Sequence, residues 1–579
     1  MLSIKLIKKA FSPIEKNEYK KIFLLLLLTL ITSLTEVISV GIVIPILNLF
    51  VGDDYLNYLN YFQFLNFEDK NQILIFILFL FFLAHLAKFF LNRYLIIIQN
   101  KFSHNLYVKI SKTLFQDYLS KDYTFYVNKS SAELTRNIIS EANHFSFGVI
   151  FHLVRLFSEL IIFTSLGVLL IYINYKISLL TLGFFSITSY FYYKINSSSL
   201  KKLGEKRQFH SEKVFKQLQE SFDGFRELIL NKLQSIFNKN FYKHTRANAD
   251  VGIKKDIITQ MPRLTLELLT ITSLVLIVIF LIYEGYTINQ IFILLGIFLY
   301  TTIRILPSVS KIIQSIQSIN FNEAVVELIS NQMKNIKFNK IDDDKNNYNE
   351  QLKFKKIKLN DINFYYKKNN HILKDVNLEI NFGDKIGLIG KSGSGKSTLI
   401  NIICGLLKPL NGDLKIDDQD LKNIIKTYQN KIGYVPQNVT IFDESIIFNI
   451  ALEFDESKIN IDRINKILQE LELYEVINKL PNKLYEIVGE KGIKLSGGQC
   501  QRLGIARILY RDPSIIILDE ATSALDTNIE GKILHSLFEK YKDRTILLST
   551  HRQQPLKYCN IVYELKDQKL DSVENEKKY

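Results

Sequence analysis

Sulfur-containing residues and tryptophan are scarce in this chain of 579 residues, which has three Cys, three Met and no Trp. The cysteines, Cys404, Cys500 and Cys559, all lie in the C-terminal third and lack the spacing of metal ligands. This pattern excludes a disulfide framework and a cysteine zinc site, and it fits a reducing compartment. We interpret the missing Trp, beside abundant Lys, Asn and Ile, as compositional bias without functional meaning.

Charge and hydropathy are distributed unevenly. The chain has 73 Lys and Arg against 58 Asp and Glu, a net charge of +15, and 47% hydrophobic residues. A charged fraction of 23% is ordinary for a globular protein, yet the mean hydropathy is slightly positive. The apolar residues must therefore be segregated along the chain, which excludes a uniformly soluble enzyme. The basic excess fits either nucleic-acid binding or the cytoplasmic loops of a membrane protein.

Long apolar runs fill the N-terminal half. A membrane-spanning helix needs about 20 apolar residues to cross a hydrocarbon core of roughly 30 Å. Six stretches meet this requirement, the fourth being the least apolar: 22–50, 73–90, 147–173, 177–193, 264–283 and 288–306. The first run is too long for a cleaved signal peptide and has no small-residue cleavage site, so we interpret it as a retained span. The sequence predicts a six-helix transmembrane domain over residues 1–331.

The distribution of basic residues orients this domain. Residues 194–263 carry 15 Lys and Arg against 7 acids, whereas the connectors 51–71, 174–176 and 284–287 contain only Lys70 and Lys176 as basic residues. Basic loops remain cytoplasmic, so the N-terminus and the long loops are expected on that side. Membrane insertion alone accounts for the basic excess, and nucleic-acid binding is disfavoured.

The loops between spans differ greatly in length. Residues 99–144 and 194–263 are too long for simple connectors and have a helical composition, so spans two to five are expected to continue as helices beyond the bilayer. Segments near 117–126 and 222–232, in these long loops, are expected to be docking helices, that is, helices through which the C-terminal part of the chain contacts the membrane half. Ordinary helical surface is the alternative. Residues 51–71 have apolar residues at roughly helical spacing, which favours a short outer interfacial helix about as much as a loop.

Six ionisable residues lie inside or beside the predicted spans: Glu36, Arg155, Glu159, Arg263, Glu267 and Arg304. A charge at the bilayer centre costs at least about 2.5 kcal/mol, so such residues face a partner or a cavity. The pairs 155/159 and 263/267 have i,i+4 spacing and are predicted to neutralise themselves. Arg304 and Glu36 have no such local partner, and they are the candidate substrate contacts, Arg304 toward an anionic cargo.

A polar stretch at 332–352 separates the two halves and is predicted to be a linker. Beyond it, short apolar runs such as KIGLIG, KIGYVPQ, SIIILDE and RTILLST alternate with helical patterns. Such β-branched runs are typical of buried parallel strands. The sequence therefore predicts an α/β domain over residues 353–579.

The first of these runs ends in GKSGSGKST, which matches the phosphate-binding motif G-x-x-x-x-G-K-[ST]. Glycines allow backbone N–H groups to surround phosphate oxygens, and the following helix adds its positive N-terminal dipole. Lys396 is predicted to bridge the β- and γ-phosphates, and the Ser397 hydroxyl to bind Mg²⁺. The motif comprises Gly390, Lys391, Ser392, Gly393, Ser394, Gly395, Lys396, Ser397 and Thr398.

A second phosphate-site element follows the run SIIILDE. Asp519 ends this predicted strand and is positioned to bind Mg²⁺, and Glu520 follows it directly. Hydrolysis of a γ-phosphate needs a water that is oriented and partly deprotonated. A second carboxylate beside the metal-binding one can act as that base, so Glu520 is the predicted catalytic base.

The pentapeptide LSGGQ at 495–499 lies shortly before this strand. At this position it resembles the signature of ABC-transporter ATPase domains, and the resemblance covers roughly residues 353–570. In that family an aromatic stacks on adenine, and Tyr366 fits this role with Tyr365 as the alternative. Gln437 resembles the loop glutamine that senses Mg²⁺ and γ-phosphate, and His551 resembles the histidine that contacts γ-phosphate. Cys500 departs from the charged or polar residue expected after the signature.

Three further implications come from the resemblance. Residues 488–492 are similar to the segment with which exporters contact their cytoplasmic helices, and residues 523–526 to the loop that crosses to the partner. The signature of one ATPase domain completes the ATP site of the other, which implies that Ser496, Gly497, Gly498 and Gln499 bind ATP held by a partner. One copy of each motif implies a dimer with ATP and Mg²⁺ as cofactors; a homodimer is the economical interpretation and a heterodimer the alternative.

Six spans followed by one ATPase domain resemble the exporter class of these transporters, in a bacterial inner membrane. Short stretches of the spans (VIPILNLF, INYKISLL, MPRLTLELL, RILPSV) resemble the bacterial flippase for lipid-linked oligosaccharides. This resemblance implies a polyprenyl-pyrophosphate glycan as cargo, for which Arg304 is a sensible contact. The alternatives are a generic exporter of lipid, drug or peptide and, with least support, a soluble ABC ATPase that acts on nucleic acid or ribosomes.

Overall fold

The computed structural model describes residues 4–51, 69–334, 336, 354–366, 371–489 and 492–573. Contacts divide the chain into two compact units, the first comprising 1–121 and 128–341 and the second 122–127 and 342–579. Most of the predicted outer segment 51–71 and of the predicted linker 332–352 lies outside the described residues, as do residues 490 and 491 of the segment 488–492.

The described part of the first unit is helical. Two π-helical stretches, Asn137–Glu141 and His144–Ile150, lie between its helices α6 and α7. The helices are α1 (Ile4–Phe11), α2 (Lys16–Gly41), α3 (Val43–Val51), α4 (Lys70–Leu119), α5 (Tyr123–Asn128, mostly in the second unit), α6 (Ser131–Arg136), α7 (Phe151–Ile173), α8 (Tyr175–Asp223), α9 (Phe225–Leu230), α10 (Gln234–Tyr283), α11 (Ile288–Phe321) and α12 (Glu323–Lys334).

Within the described residues, five helical segments are long and apolar enough to cross a membrane, and they contain five of the six predicted spans. These segments are Lys16–Val51, Lys70–Leu119, Ser131–Ile173, Gln234–Tyr283 and Ile288–Phe321. The remaining predicted span, 177–193, lies on α8 and stays a prediction. Helices α4, α8 and α10, which contain predicted spans two, four and five, have 50, 49 and 50 residues and so continue well beyond those stretches. At 1.5 Å per residue each is about 75 Å long, far more than a bilayer core requires.

Close helix packing holds the first unit together, with α8 against α10 and α7 against α11 among its largest contacts. Gly204 on α8 lies against the end of α11, where an added Cβ would overlap the backbone oxygen of Phe321. The fully buried carboxylate of Glu141 lies 2.8 Å from Arg207 and 3.9 Å from Arg136. Such a buried acid is tolerated because cations compensate its loss of hydration.

Ion pairs within the first unit differ in part from those predicted. Arg263 and Glu267 form the expected i,i+4 pair at 3.1 Å. Glu159 instead lies 2.7 Å from Lys311 on α11, so the predicted pair with Arg155 is wrong for this carboxylate. Its helix packs against α11, and a tertiary contact replaces the local one. Glu36, which lacks a partner in its own helix, lies 2.5 Å from Lys88 on α4.

The described part of the second unit contains two sheets flanked by helices, which agrees with the α/β domain predicted from the alternation of strands and helices. A four-stranded antiparallel sheet has the order β2-β1-β4-β5, and a six-stranded sheet has the order β10-β9-β3-β8-β7-β6. The strands are β1 (Lys356–Tyr365), β2 (His371–Asn381), β3 (Lys385–Ile389), β4 (Asn411–Ile416), β5 (Gln419–Asp420), β6 (Ile432–Val435), β7 (Ile515–Asp519), β8 (Thr545–Ser549), β9 (Ile561–Lys566) and β10 (Lys569–Val573).

Helices accompany these strands in the second unit. They are α13 (Lys396–Ile403), α14 (Leu421–Gln429), α15 (Ile446–Ala451), α16 (Ile461–Glu470), α17 (Tyr474–Asn478), α18 (Gly497–Arg511) and α19 (Thr527–Lys540). All residues of β7 and β8 are buried, which accounts for their continuous apolar sequence. Each fully buried Ile contributes about 1.5–3 kcal/mol.

Residues 122–127, within the first segment predicted to dock, belong by their contacts to the second unit. Asp122 lies 2.8 Å from Lys408 of the same unit. Both side chains are more than 60% exposed, so this ion pair contributes little energy. The segment contains the short helix α5, and its role in docking stays a prediction.

Candidate nucleotide site and membrane cavity

The predicted phosphate-site residues meet at one edge of the six-stranded sheet. Strands β3, β8, β7 and β6 are neighbours in this order and run parallel, so their carboxyl ends lie together. Asp519 at the end of β7 is in register with Ser549 at the end of β8. The loops after these strands bring together Gly390–Thr398, Gln437, Glu520 and His551, although more than 160 residues separate the first from the last. Ligands of open α/β sheets bind at this edge.

The loop after β3 has the backbone geometry of a phosphate cradle. Gly390, Gly393 and Gly395 have φ values of 148°, 79° and 109°, which side chains rarely permit. A Cβ on Gly395 would lie 2.9 Å from Ile372 Cγ2, and one on Gly390 would lie 2.6 Å from the Leu565 carbonyl oxygen. Helix α13 begins directly after this loop, so its free N–H groups face the cradle.

Lys396 is 5% exposed at the first position of α13. Its ammonium donates to the carbonyl oxygens of Gly390 at 2.8 Å and Lys391 at 3.2 Å, which holds it against the cradle. Burial lowers the pKa of Lys396, while Glu520 and Asp519 oppose this shift. The Lys396 ammonium is therefore placed to interact electrostatically with a phosphate bound in the loop.

Asp519 is buried between strands, 4% exposed. Burial raises the pKa of its carboxyl group, and the neighbouring Ser397 and Ser549 hydroxyls partly offset the rise. The Tyr434 hydroxyl lies 3.5 Å from the same carboxylate. Together with the nearby Ser397 hydroxyl and the Gln437 amide, the carboxylate offers the hard oxygen ligands that Mg²⁺ prefers. The buried Ser394 hydroxyl in the loop has no hydrogen-bond partner among the described residues, as expected for a lining that fits phosphate oxygens.

Glu520 connects the parts of this site. It has a left-handed φ of 51°, and its carboxylate accepts hydrogen bonds from Gln437 at 2.8 Å and from His551 at 2.7 Å. Lys396 lies 4.0 Å from the same carboxylate. These contacts hold the Glu520 carboxylate in one position, where it can accept a proton from a water at the open end of the cradle.

The two predicted adenine-stacking tyrosines follow one another at the end of β1. Tyr366 is 47% exposed and its ring lies edge-on to buried Phe364, with 5.0 Å between centroids. Tyr365 instead contacts His371 on β2 at 5.5 Å. The greater exposure favours Tyr366, whose role remains a prediction.

The signature residues lie at the N-terminus of α18. Ser496 caps this helix in a capping box with Gln499: its hydroxyl accepts from the Gln499 backbone, and the Gln499 side chain accepts from the Ser496 backbone at 2.8 Å. Ser496 and Gly497 are exposed. Among the described residues, the hydrogen bonds of Ser496 stay within α18 and none reaches the loop 390–398. The helix therefore presents an open, positively polarised N-terminus.

Two residues that were not predicted from the sequence, Gln501 and Arg552, link the loops of this site through hydrogen bonds. Gln501 accepts from the Ala524 N–H at 2.9 Å and donates to the Gln437 carbonyl at 3.4 Å. Arg552 donates to the Ser523 carbonyl at 2.9 Å and pairs with buried Glu530 at 2.7 Å. The sequence signal was their adjacency to recognised motifs, because Gln501 follows the signature by two residues and Arg552 follows His551.

A cationic cavity lies in the first unit. It has a volume of about 540 Å³ and is lined by His85, Lys88, Phe89, Asn92, Arg93, Ile96, Ile97 and Arg304. The predicted substrate residue Arg304 is part of this lining, whereas Glu36 is not. No acidic side chain is among the lining residues, and this makes the cavity suitable for an anion.

Comparison with known proteins identifies the class to which these two units belong. The model of the ABC transporter transmembrane region matches residues 21–305, and the ABC transporter model matches residues 373–523. Together the two matches cover well over half of the chain. The chain is therefore an ABC transporter with a transmembrane region and an ATPase domain.

Individual proteins narrow this assignment. The fold matches a bacterial Atm1-family ABC exporter solved with ATP bound, with a TM-score of 0.77 and 19% identity over 96% of this chain and 94% of that one. The ATP-dependent lipid A-core flippase of Pectobacterium atrosepticum is 39% identical over 215 residues, which is 36% of each chain. The ABC transporter ATM1 of Toxoplasma gondii is 38% identical over 200 residues, 34% of this chain and 18% of that protein. The matched segment thus spans about a third or less of these curated relatives. The fold is that of an exporter.

Proposed function

We propose that this chain is an ATP-driven exporter or flippase of a bacterial inner membrane, with its N-terminus and ATPase domain in the cytoplasm. The observation that carries this proposal is the convergence of Lys396, Asp519, Glu520, Gln437 and His551 at one sheet edge. The described part of the same chain contains five helical segments suited to a membrane. A hydrolytic site joined to such helices is the arrangement expected of an active transporter.

The residues of the site divide the work of hydrolysis. The glycine cradle and Lys396 bind the phosphates, and Ser397, Asp519 and Gln437 would hold Mg²⁺, which when bound neutralises charge on the phosphate oxygens. Glu520 accepts the proton of the attacking water, and His551 orients Glu520 from its open side. ATP favours the closed dimer because it contacts both subunits, and its hydrolysis removes that preference.

The second subunit is proposed to be another copy of this chain. The signature helix α18 has an exposed N-terminus, and its cap leaves N–H groups of the first turn free. Such a terminus suits a phosphate group. One chain supplies one cradle and one signature, so two copies complete two equivalent sites. A heterodimer with a similar partner is the alternative.

The cargo is proposed to be a lipid-linked oligosaccharide or a related polyprenyl-linked glycan. Arg304 lines a cavity whose charged groups are cationic, and the pyrophosphate of such a lipid is an anion. The similarity to a lipid A-core flippase supports a lipid cargo and also supplies the main alternative, a different anionic lipid. A generic exporter of drugs or peptides has less support, because a permanent cation in the cavity favours anions. A soluble ABC ATPase acting on nucleic acid is disfavoured by the apolar helices.

Reconstitution tests these assignments. The purified chain in proteoliposomes should hydrolyse ATP in a Mg²⁺-dependent way and move a fluorescent polyprenyl-pyrophosphate glycan between leaflets. Lipid A-core and a neutral drug serve as competing cargoes. Transport of either in place of the glycan would replace the cargo proposal, and a lack of Mg²⁺-dependent ATP hydrolysis would refute the transporter proposal itself.

A further inference from the structure

Two of the three Lys and Arg residues that line the membrane cavity, Arg304 and Lys88, are held in different ways; the third is Arg93. Arg304 on α11 donates to His85 Nε2 at 3.0 Å and to the Tyr300 hydroxyl at 3.2 Å. Lys88 on α4, in contrast, donates to the carboxylate of Glu36 on α2 at 2.5 Å. Among the described residues, Arg304 therefore has no anionic partner, whereas Lys88 has one.

The partners of Arg304 among the described residues carry no negative charge. His85 Nδ1 lies 2.9 Å from the Phe81 carbonyl oxygen, which can only accept a hydrogen bond, so this nitrogen carries the proton. The guanidinium can only donate, so His85 Nε2 is the acceptor of this hydrogen bond. Arg304 Nε is buried and has no hydrogen-bond partner among the described residues. His85 and Tyr300 thus position a full positive charge at the cavity wall.

The Lys88–Glu36 pair is buried away from solvent. The side chains of Lys88 and Glu36 are 8% and 14% exposed. Lys88 lines the cavity, but Glu36 does not, so the carboxylate compensates the ammonium from behind the wall. A second anion at the wall can approach Lys88 without displacing Glu36 from its site on α2.

We propose that Lys88 is a second binding group for an anionic cargo and that Glu36 is its internal counter-ion. By partly neutralising Lys88, Glu36 limits the affinity of the cavity for anions. This inference rests on the proposed function, since it concerns the cavity assigned to the cargo. It changes the predicted role of Glu36 from a cargo contact to a regulator of charge. A moderate affinity serves transport, because a cargo that binds too tightly is not released.

A double-mutant cycle on the full chain in nanodiscs tests the inference. The probe is radiolabelled farnesyl pyrophosphate, a short polyprenyl pyrophosphate, and its Kd is measured by equilibrium dialysis. Arg304→Gln and Lys88→Gln should each raise the Kd. Glu36→Gln should lower it about fivefold or more, a typical coupling between two interacting sites. In the Lys88→Gln background, Glu36→Gln should have no effect, because there is no ammonium left to release.

A matched control is Lys176→Gln, which removes one partner of the exposed Lys176–Glu284 pair at 3.2 Å and should leave the Kd unchanged. The inference is overturned if Glu36→Gln binds the probe no more tightly than the wild type. It is also overturned if Glu36→Gln tightens binding to the same extent when Lys88 is replaced by Gln. In either case, binding by the wild type leaves the proposed function standing. Binding that appears in Glu36→Gln but is absent in wild type supports the counter-ion and contradicts the polyprenyl-pyrophosphate cargo. Absence of binding in both overturns both proposals.

Discussion

Replacement of Glu520 by Gln is the most direct test of how the nucleotide site works. The change keeps the size of the side chain and removes its ability to accept a proton. In the structure the carboxylate accepts one hydrogen bond from Gln437 at 2.8 Å and one from His551 at 2.7 Å. The amide of Gln can still accept one of these bonds, and a change of His551 tautomer can satisfy the other. The lost hydrogen-bond energy is therefore at most about 0.5–1.5 kcal/mol.

The loss of catalysis should be much larger than this structural cost. A positioned general base contributes about 10²–10⁴-fold to a rate, which corresponds to about 2.7–5.4 kcal/mol at 1.36 kcal/mol per tenfold. Binding of ATP should persist, because the cradle and Lys396 are unchanged and a negative charge beside the phosphates has been removed. The variant should therefore accumulate in an ATP-bound dimeric state.

Three measurements test these expectations on the reconstituted variant. Phosphate release measures the loss of hydrolysis, retention of labelled ATP measures binding, and size-exclusion chromatography in ATP measures dimer formation. Glu539→Gln is a matched control, since it makes the same chemical change on the exposed face of α19. Its turnover should equal that of the wild type. Normal turnover of Glu520→Gln would show that another group takes the proton and would refute the assignment.

Three further predictions concern the cradle, the helix packing and pH. Gly395→Ala should weaken ATP binding, measured in a filter assay, at least about tenfold, because φ is 109° and Cβ would lie 2.9 Å from Ile372 Cγ2. Gly531→Ala is the control: the space around this residue is open, so the variant should bind ATP normally. Gly204→Ala should destabilise the first unit by about 1–3 kcal/mol because its Cβ overlaps the Phe321 backbone oxygen, whereas Gly252→Ala, which meets nothing within 4 Å, should be neutral or stabilising in thermal unfolding. Burial raises the Asp519 pKa above 3.8, so the acid limb of ATPase activity should lie above that pH and move to lower pH as Mg²⁺ increases.

Each of these predictions has an outcome that contradicts it. Equal ATP affinity of the Gly395 and Gly531 variants would mean that the loop tolerates a side chain and relaxes. A melting temperature for Gly204→Ala at or above that of Gly252→Ala would contradict the close approach of α8 and α11. For Asp519, the direction of the pH shift follows from competition between Mg²⁺ and protons for the carboxylate. The ionised carboxylate binds Mg²⁺, and protonation prevents this binding. An acid limb that does not respond to Mg²⁺ would assign the titration to another group.

Most of the nucleotide site was predictable because its chemistry restricts residue type at fixed local spacing. Glycines at 390, 393 and 395 are required by positive φ values, and a lysine and a serine must follow them at the start of a helix. Each such requirement acts within a few residues of chain. The same holds for the spans, because length and apolarity are local properties, and five of the six occur in helices suited to a membrane.

Contacts between distant segments were not predictable in the same way. Local spacing suggested that Glu159 pairs with Arg155, yet Lys311 from another helix lies 2.7 Å away. Gln501 and Arg552 are unremarkable in sequence, and their roles depend on loops that come together only when the parallel strands align.

The amino-acid sequence alone determined that the chain has a membrane half, an α/β half and a phosphate-binding loop, because hydropathy and backbone conformation are set by neighbouring residues. Tertiary structure decided that Glu36 belongs to Lys88, that the partners of Arg304 among the described residues carry no negative charge, and that Gln437 and His551 hold Glu520. These partners come from different helices or strands, and the electrostatic energy of a pair depends on distance in space, which the order of residues does not give.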